Sequence, residues 1–209
     1  MMRVLRVAIA KGRLERKLTE LFSARGVDCT ALQNPGRRLI LPFGKWEAVL
    51  AKAPDVLTYV EHGTCDFGIV GKDTILEHGG SFYELLDLGL GKCRFSLAAA
   101  KGSDFFGNYG HKRIASKYPN VAYRYFLRRG MDVEIIKLEG SVELAPLLGL
   151  ADAIVDIVET GATLLENGLE IIEDIHPISA RLIANIGAMK TRRPEMAEFV
   201  RMCEESVKC

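Results

Sequence analysis

The sequence has 209 residues, with 28 Lys+Arg against 27 Asp+Glu and a formal net charge of +1 at pH 7. At about 100 to 200 residues per domain this length gives one large domain or two small lobes. An apolar share of 48% with 26% charged residues excludes a disordered or fibrous chain. Near-neutrality without a basic run removes the electrostatic footprint of a nucleic-acid binder.

Arg3 to Ala10 is rich in Val, Ile and Ala and ends at Lys11-Gly12-Arg13, ahead of a helical pattern carrying Leu14, Leu18, Leu21 and Phe22. That spacing predicts strand, turn, helix. A Pro-Gly turn with Arg37 and Arg38 precedes two short strands, Leu39 to Leu41 and Ala48 to Ala51. DVLTYVEHG reads as a helix with Asp55 as N-cap and Gly63 as stop, CDFGIV as a buried strand, and Gly71-Lys72-Asp73 as the opening of another helix. The same phrase recurs. Ser141-Val142-Glu143 starts a helix that stops at Gly149, Asp152 to Val158 is a strand, and Glu159 to Thr163 leads into a helix ending at Asn167-Gly168. In both copies an Asp follows the stopping glycine by three residues, Gly63 with Asp66 and Gly149 with Asp152, which indicates an internal duplication. ARLIANIGAMK is strand-like, and Pro194 opens a helix with Phe199, Val200, Cys203 and Val207 on one face.

Strands alternating with helices predict an α/β fold with mainly parallel or mixed sheets flanked by helices, and two copies predict two lobes. Residues 1–90 with 177–209 form the expected lobe I and 91–176 lobe II, with ligand bound in a cleft between them. No segment approaches the roughly 18 apolar residues of a membrane span, and the basic start MMRVLRVAIAKGRLER is not a signal peptide, so a cytoplasmic protein is expected. Five dispersed cysteines (Cys29, Cys65, Cys93, Cys203 and Cys209) lack metal-site spacing and fit reduced thiols. His62, His78, His111 and His176 are isolated and form no triad.

The chemistry concentrates in Asp152-Ala-Ile-Val-Asp156-Ile-Val-Glu159-Thr160-Gly161-Ala162-Thr163. A glycine between two threonines at a strand-to-helix turn lets backbone amides and hydroxyls approach an anion, and a monophosphate would fit. Asp152 and Asp156 have the same parity and can accept hydrogen bonds from sugar hydroxyls, so a phosphosugar suits the segment. Caps on a turn and a helix are the plainer use of Asp152 and Thr163; the preceding acids favour a ligand. GxxxxGK[ST] is absent, and Gly89-Leu-Gly91 lacks a third glycine where Arg94 stands, which excludes a Walker ATPase and a Rossmann oxidoreductase. Lys11, Arg13, Arg37, Arg38, Lys52 and Lys72 lie in turns and could face a polyphosphate. Glu143 sits in the first turn of its helix, where an acid favours the dipole.

VAIAKGRL, DVLTYVEHGTCDFGIVGKD, RIASKYP, KLEGSVELAP and GLADAIVDIVETGATLLENGLE together resemble the ATP phosphoribosyltransferase family, from about Val7 to about Ile183. The chain length resembles the family's short form, whose members work with a separate regulatory subunit similar to a histidyl-tRNA synthetase. The resemblance implies a two-lobed fold of the type II periplasmic-binding-protein kind. It implies attack of adenine N1 of ATP on C1 of 5-phosphoribosyl 1-pyrophosphate with Mg²⁺ assistance, the first step of histidine biosynthesis. It places Glu159, Thr160, Gly161, Ala162 and Thr163 on the 5-phosphate, Asp152 and Asp156 near the ribose, and Lys11, Gly12, Arg13, Gly71, Asp73 and Glu143 on ATP. Lys11, Arg37 and Lys52 become the catalytic cations for the departing pyrophosphate, and a hetero-oligomer with a dimeric catalytic chain is expected. Two departures stand out. Three residues separate Asp152 from Asp156, where type I phosphoribosyltransferases have adjacent acids, and Lys52 occupies a position where short-form relatives usually carry Arg. Lysine keeps the charge without the bidentate fork. The competing readings are a non-catalytic two-lobed module for a small metabolite and a phosphoribosyltransferase acting on a free nucleobase.

Overall fold

A computed structural model describes residues 3–107 and 110–207; Cys209 lies outside the described residues. The chain divides into two compact units, one reaching to Gly91 and resuming at Ser179, the other running from Lys92 to Ile178.

The first unit begins with β1 (Arg6–Ala10), α1 (Arg13–Ser23), α2 (Thr30–Gln33), β2 (Ile40–Phe43) and β3 (Trp46–Ala51). It continues through α3 (Ala53–Glu61), β4 (Phe67–Gly71), α4 (Lys72–His78) and β5 (Tyr83–Asp87). The second unit contains β6 (Cys93–Ala100), β7 (Lys112–Ser116), α5 (Pro119–Arg128), β8 (Val133–Lys137), α6 (Leu144–Leu147), β9 (Ala153–Val158), α7 (Ala162–Glu166) and β10 (Leu169–Ile178). The chain then returns to the first unit as β11 (Ala180–Ala184), α8 (Ile186–Thr191) and α9 (Arg193–Val207).

Both sheets are mixed. Their orders are β2-β3-β1-β4-β11-β5 and β10-β6-β9-β7-β8. Setting aside β2, the first reads β3-β1-β4-β11-β5 and the second β8-β7-β9-β6-β10. The neighbour relations run parallel, parallel, antiparallel, antiparallel in each. The duplication legible in the sequence is therefore a repeat of the whole sheet. The expected mixed sheets are found: in each, the antiparallel strand is the one at which the chain enters from the other unit, β11 in the first sheet and β6 in the second, and β5 and β10 pair antiparallel with it.

The repeated aspartates do the same work in each unit. The Asp66 amide donates to the Arg6 carbonyl and its carboxylate accepts from the Arg6 amide at 2.8 Å. The Asp152 amide donates to the Arg113 carbonyl and its carboxylate accepts from the Arg113 amide at 2.7 Å. Each Asp thus ties the start of one parallel strand to the start of its neighbour, satisfying backbone groups that the ladder leaves open there.

The first core packs Phe22, Phe43, Trp46, Phe67 and Phe199, with Phe67 and Phe199 ring centroids 4.6 Å apart and Trp46 and Phe199 edge-on at 5.0 Å. The tail helix α9 supplies Met196, Phe199 and Cys203 to it. Its buried stripe is Met196, Phe199, Cys203 and Ser206, so Val207 of the expected face is exposed one turn too far on. Three other expectations shift. Lys52, not Asp55, is the residue before α3, because Pro54 is favoured in the first helical turn and moves the start three residues upstream. The helix expected from Ser141 forms only over Leu144–Leu147. ARLIANIGAMK splits into β11 and α8, with the Asn185 side chain accepting from the Ala188 amide as an N-cap inside the apolar run.

Candidate functional site

In the second unit, β9 ends against a cavity of about 230 Å³ whose walls include Ser96, Glu143, Asp156 and the turn from Glu159 to Thr163. The turn is built from its own residues. Gly161 takes φ 86° and ψ 0°, the left-handed conformation that glycine adopts without steric cost. The Thr160 hydroxyl accepts from the Ala162 amide at 3.3 Å and fixes the bend. The first bond within α7 runs from the Leu165 amide to the Gly161 carbonyl, and helix geometry leaves the amides of Thr163 and Leu164 without a carbonyl partner inside the helix. At five residues α7 carries little dipole, so what the turn offers an anion is its amides and hydroxyls.

Asp156 and Glu143 bring carboxylates to the wall of this cavity. Burial pushes the Asp156 carboxyl up to about 6; the Ile157 amide pulls the other way, Glu143 adds to the rise, and Lys117 opposes it. Asp152 is not brought here. It lies before β9, at the end of the strand opposite the turn, with its carboxylate held by the Arg113 amide. Four residues of strand span about 13 Å, so same-face parity did not imply one site. Two residues that contact this site have no motif in the sequence: Ser96, fully buried on β6 and paired in register with Asp156, and Arg94, whose guanidinium donates to the Glu159 carbonyl at 3.3 Å. The signal for Ser96 was a lone hydroxyl within the apolar run FSLAAA.

In the first unit the expected residues gather at one sheet edge. Register pairs Ala10 with Ala51, and the Lys11 amide donates to the Ala51 carbonyl, so Lys11 and Lys52 leave adjacent strands side by side. Gly71 ends β4, the other neighbour of β1. Arg37 lies in the turn before β2, and the Leu50 amide to Leu39 carbonyl bond carries that strand's beginning to the same end of β3. Lys11, Arg13, Arg37 and Lys52 are all exposed. Carboxyl ends of parallel strands are where open α/β sheets take ligands. Gly12, at φ 108°, precedes α1, and its amide donates to Glu15. Lys72 is drawn aside by Glu84 at 2.5 Å. Asp73 folds back over Gly71, where a Cβ would collide with its carboxylate.

Among the described residues no group of three His, Cys, Asp or Glu side chains is placed to hold a metal ion, and no helix is long and apolar enough to cross a membrane.

The family model for ATP phosphoribosyltransferase (HisG) matches residues 52–205. The ATP phosphoribosyltransferase of Clostridium kluyveri is 58% identical over 202 residues, 95% of this chain and 91% of the relative. That of Clostridium acetobutylicum is 53% identical, covering 98% and 96%. Among solved structures, the ATP phosphoribosyl transferase (HisG:HisZ) complex from Thermotoga maritima superposes with a TM-score of 0.84 at 37% identity, covering 98% of both chains. The periplasmic aliphatic sulphonate binding protein SsuA of Escherichia coli gives a TM-score of 0.60 at 12% identity, covering 99% of this chain and 73% of its own; that likeness is one of fold.

Proposed function

The chain belongs to the ATP phosphoribosyltransferase family, and from that premise we propose a separate task for each of its two units. The reaction condenses ATP with 5-phosphoribosyl 1-pyrophosphate to give N1-(5-phosphoribosyl)-ATP and pyrophosphate, the first step of histidine biosynthesis.

The observation that carries the assignment is the second unit's cavity, where a turn of amides and hydroxyls meets two carboxylates. In this reading the turn from Glu159 to Thr163 holds the 5-phosphate, the Thr160 and Thr163 hydroxyls add donors, and Asp156 and Glu143 accept from the ribose hydroxyls. Asp156 in its charged form also faces the positive character that C1 acquires as the pyrophosphate bond loosens. Lys11, Arg13, Arg37 and Lys52 at the first sheet's edge take the phosphates of ATP and the departing pyrophosphate. Gly12, Gly71 and Asp73 shape that edge on the ATP side. Asp152 has no substrate role and serves as the strand tie described above.

Adenine N1 is a weak nucleophile, so rate enhancement comes from holding N1 and C1 in line and from neutralising the leaving group. No side-chain nucleophile is required. Mg²⁺ would fit this donor set as an ion carried by substrate phosphates, with Asp156 and Glu143 among the oxygen donors lining the cavity; when bound it would neutralise diphosphate charge. We further propose that the chain works with a HisZ-like regulatory subunit in a hetero-oligomer and acts in the cytoplasm.

Pyrophosphate release measured with phosphoribosyl pyrophosphate plus either ATP or free adenine tests the assignment. Release with ATP alone is expected. Release with adenine would replace it by a nucleobase transferase, and no release with either, despite binding, by a binding module.

A further inference from the structure

The second unit's cavity has a support on the strand side that the substrate assignment above does not use. Asp174 lies on β10, directly across from Ser96 in the register with β6. Its Oδ1 accepts from the Ser96 hydroxyl at 2.8 Å and from Arg94 Nε at 2.7 Å. Ser96 faces the cavity. Arg94, two residues away on β6, donates from Nη1 to the carbonyl of Glu159, where the turn begins. One carboxylate therefore aims both a cavity hydroxyl and the guanidinium that fixes the turn's first peptide.

The backbone of β10 is arranged for this. Its pairing with β6 slips twice, between Ile171 and Glu173 and again between Asp174 and His176, so a bulge flanks Asp174 on either side. Bulges re-aim side chains next to functional sites at the expense of ladder bonds. Hydrogen bonds from Ser96 and Arg94 hold the Asp174 carboxyl below its ordinary range, as befits a carboxylate that accepts from both.

We infer that Asp174 and Arg94 are positioning residues for phosphoribosyl pyrophosphate: they set the Glu159 peptide and the Ser96 hydroxyl, and through these the geometry of the phosphate turn. The inference rests on the assignment of that turn to the 5-phosphate. Carbonyl anchoring is the part a simple ion pair would lack. Arginine offers Nε to Asp174 and a terminal nitrogen to Glu159 at once, whereas lysine can satisfy only one of them.

Titration calorimetry on the full chain, with phosphoribosyl pyrophosphate plus Mg²⁺ and separately with ATP, tests this in Arg94→Lys, Arg94→Ala, Asp174→Asn and Thr160→Val. Loss of a preset loop geometry of this kind is expected to weaken phosphoribosyl pyrophosphate binding about tenfold in the first three variants, with ATP affinity within about twofold. Arg94→Lys keeps the charge opposite Asp174, so its melting temperature stays at the wild-type value while its affinity falls. The double variant Arg94→Ala/Asp174→Asn loses no more than either single one, because both act through the same peptide. Full affinity in Arg94→Lys, with affinity reduced only where melting also falls, would mean that the pair is merely a staple. If Thr160→Val lowers affinity and the Arg94 variants do not, this inference fails and the turn assignment stands. If Thr160→Val has no effect, the turn assignment itself fails.

Discussion

After β4 and again after β9 the chain leaves a central parallel strand and enters a helix, on sheets of the same order, yet the two turns end differently. The first is filled from within: Asp73 folds over Gly71 and Lys72 is held by Glu84. The second opens on a cavity, with Gly161 in the left-handed region and two hydroxyls beside it. The supports behind them are also alike. In the first unit Asp87 accepts from the Ser179 hydroxyl at 2.6 Å and pairs with Arg181 at 2.9 Å; in the second Asp174 accepts from Ser96 and Arg94. A duplicated frame has kept its ties and changed the contents of one turn, so framework and binding chemistry can be told apart by comparing the copies.

The comparison breaks most visibly at the repeated aspartates. Asp66 is buried and receives Arg3 at 2.8 Å, Arg192 at 3.2 Å and the Arg6 amide at 2.8 Å. Asp152 is exposed and holds only the Arg113 amide among the hydrogen bonds described for its carboxylate. Asp66→Asn removes the counter-charge of Arg3 and leaves Arg192 with Glu195 alone, and is expected to cost about 3 kcal/mol, while Asp152→Asn costs less than about 1 kcal/mol. Urea unfolding of both variants checks the order. Because Asp152 is a strand tie, its Asn variant also keeps its affinity for phosphoribosyl pyrophosphate; a large loss there would return it to the substrate site.

How much of this the sequence carries depends on the range of the interaction. The Glu159-Thr160-Gly161-Ala162-Thr163 turn is legible because its bend is made locally, by Gly161 and the Thr160 hydroxyl; the Arg94 anchor on its first carbonyl is not. The duplication is legible from Gly63 with Asp66 and Gly149 with Asp152, since a glycine stop and a polar tie are local signals. Asp152 itself misleads: parity gives the face of a strand but not which end of it a ligand occupies. Ser96, Arg94 and Asp174 are silent because their meaning depends on β6 lying between β9 and β10, a pairing of residues about 60 to 80 positions apart. The antiparallel half of each sheet is hidden for the same reason.

The glycines sharpen the contrast between the turns. Gly161→Ala places a side chain at φ 86° with only ordinary contacts around it, so the expected loss is backbone strain of about 1 to 2 kcal/mol and a distorted phosphate turn. Phosphoribosyl pyrophosphate affinity should fall about tenfold with it, as turn geometry sets the donor positions. Gly71→Ala must instead push Asp73 aside and should leave that affinity unchanged. Calorimetric titration of the pair decides the matter: equal losses would mean that the turns are not functionally distinct.

The smallest effect concerns Asp156, which has no carboxylate counterpart in the first unit, where Val70 of β4 takes the corresponding place four residues after the tying Asp. Its carboxyl is raised from an ordinary 3.8 to about 6, chiefly by burial, with Glu143 adding to the rise and Lys117 and the Ile157 amide opposing it. A carboxyl raised in the folded state favours the fold when protonated. That contribution is complete below about pH 4 and is lost as the pH climbs through about 6. Asp156→Asn, neutral at every pH, should therefore gain stability over the wild type across this window, levelling off above pH 7 at about 1 kcal/mol once partial solvent screening is allowed for. The same variant should bind phosphoribosyl pyrophosphate more weakly, because the amide replaces one acceptor with a donor facing the sugar hydroxyls. Melting curves at pH 4, 5, 6 and 7, paired with titrations at pH 7, test both halves. A stability difference that does not change with pH would show that the carboxylate is not penalised by burial, and unchanged affinity would remove Asp156 from the ribose site.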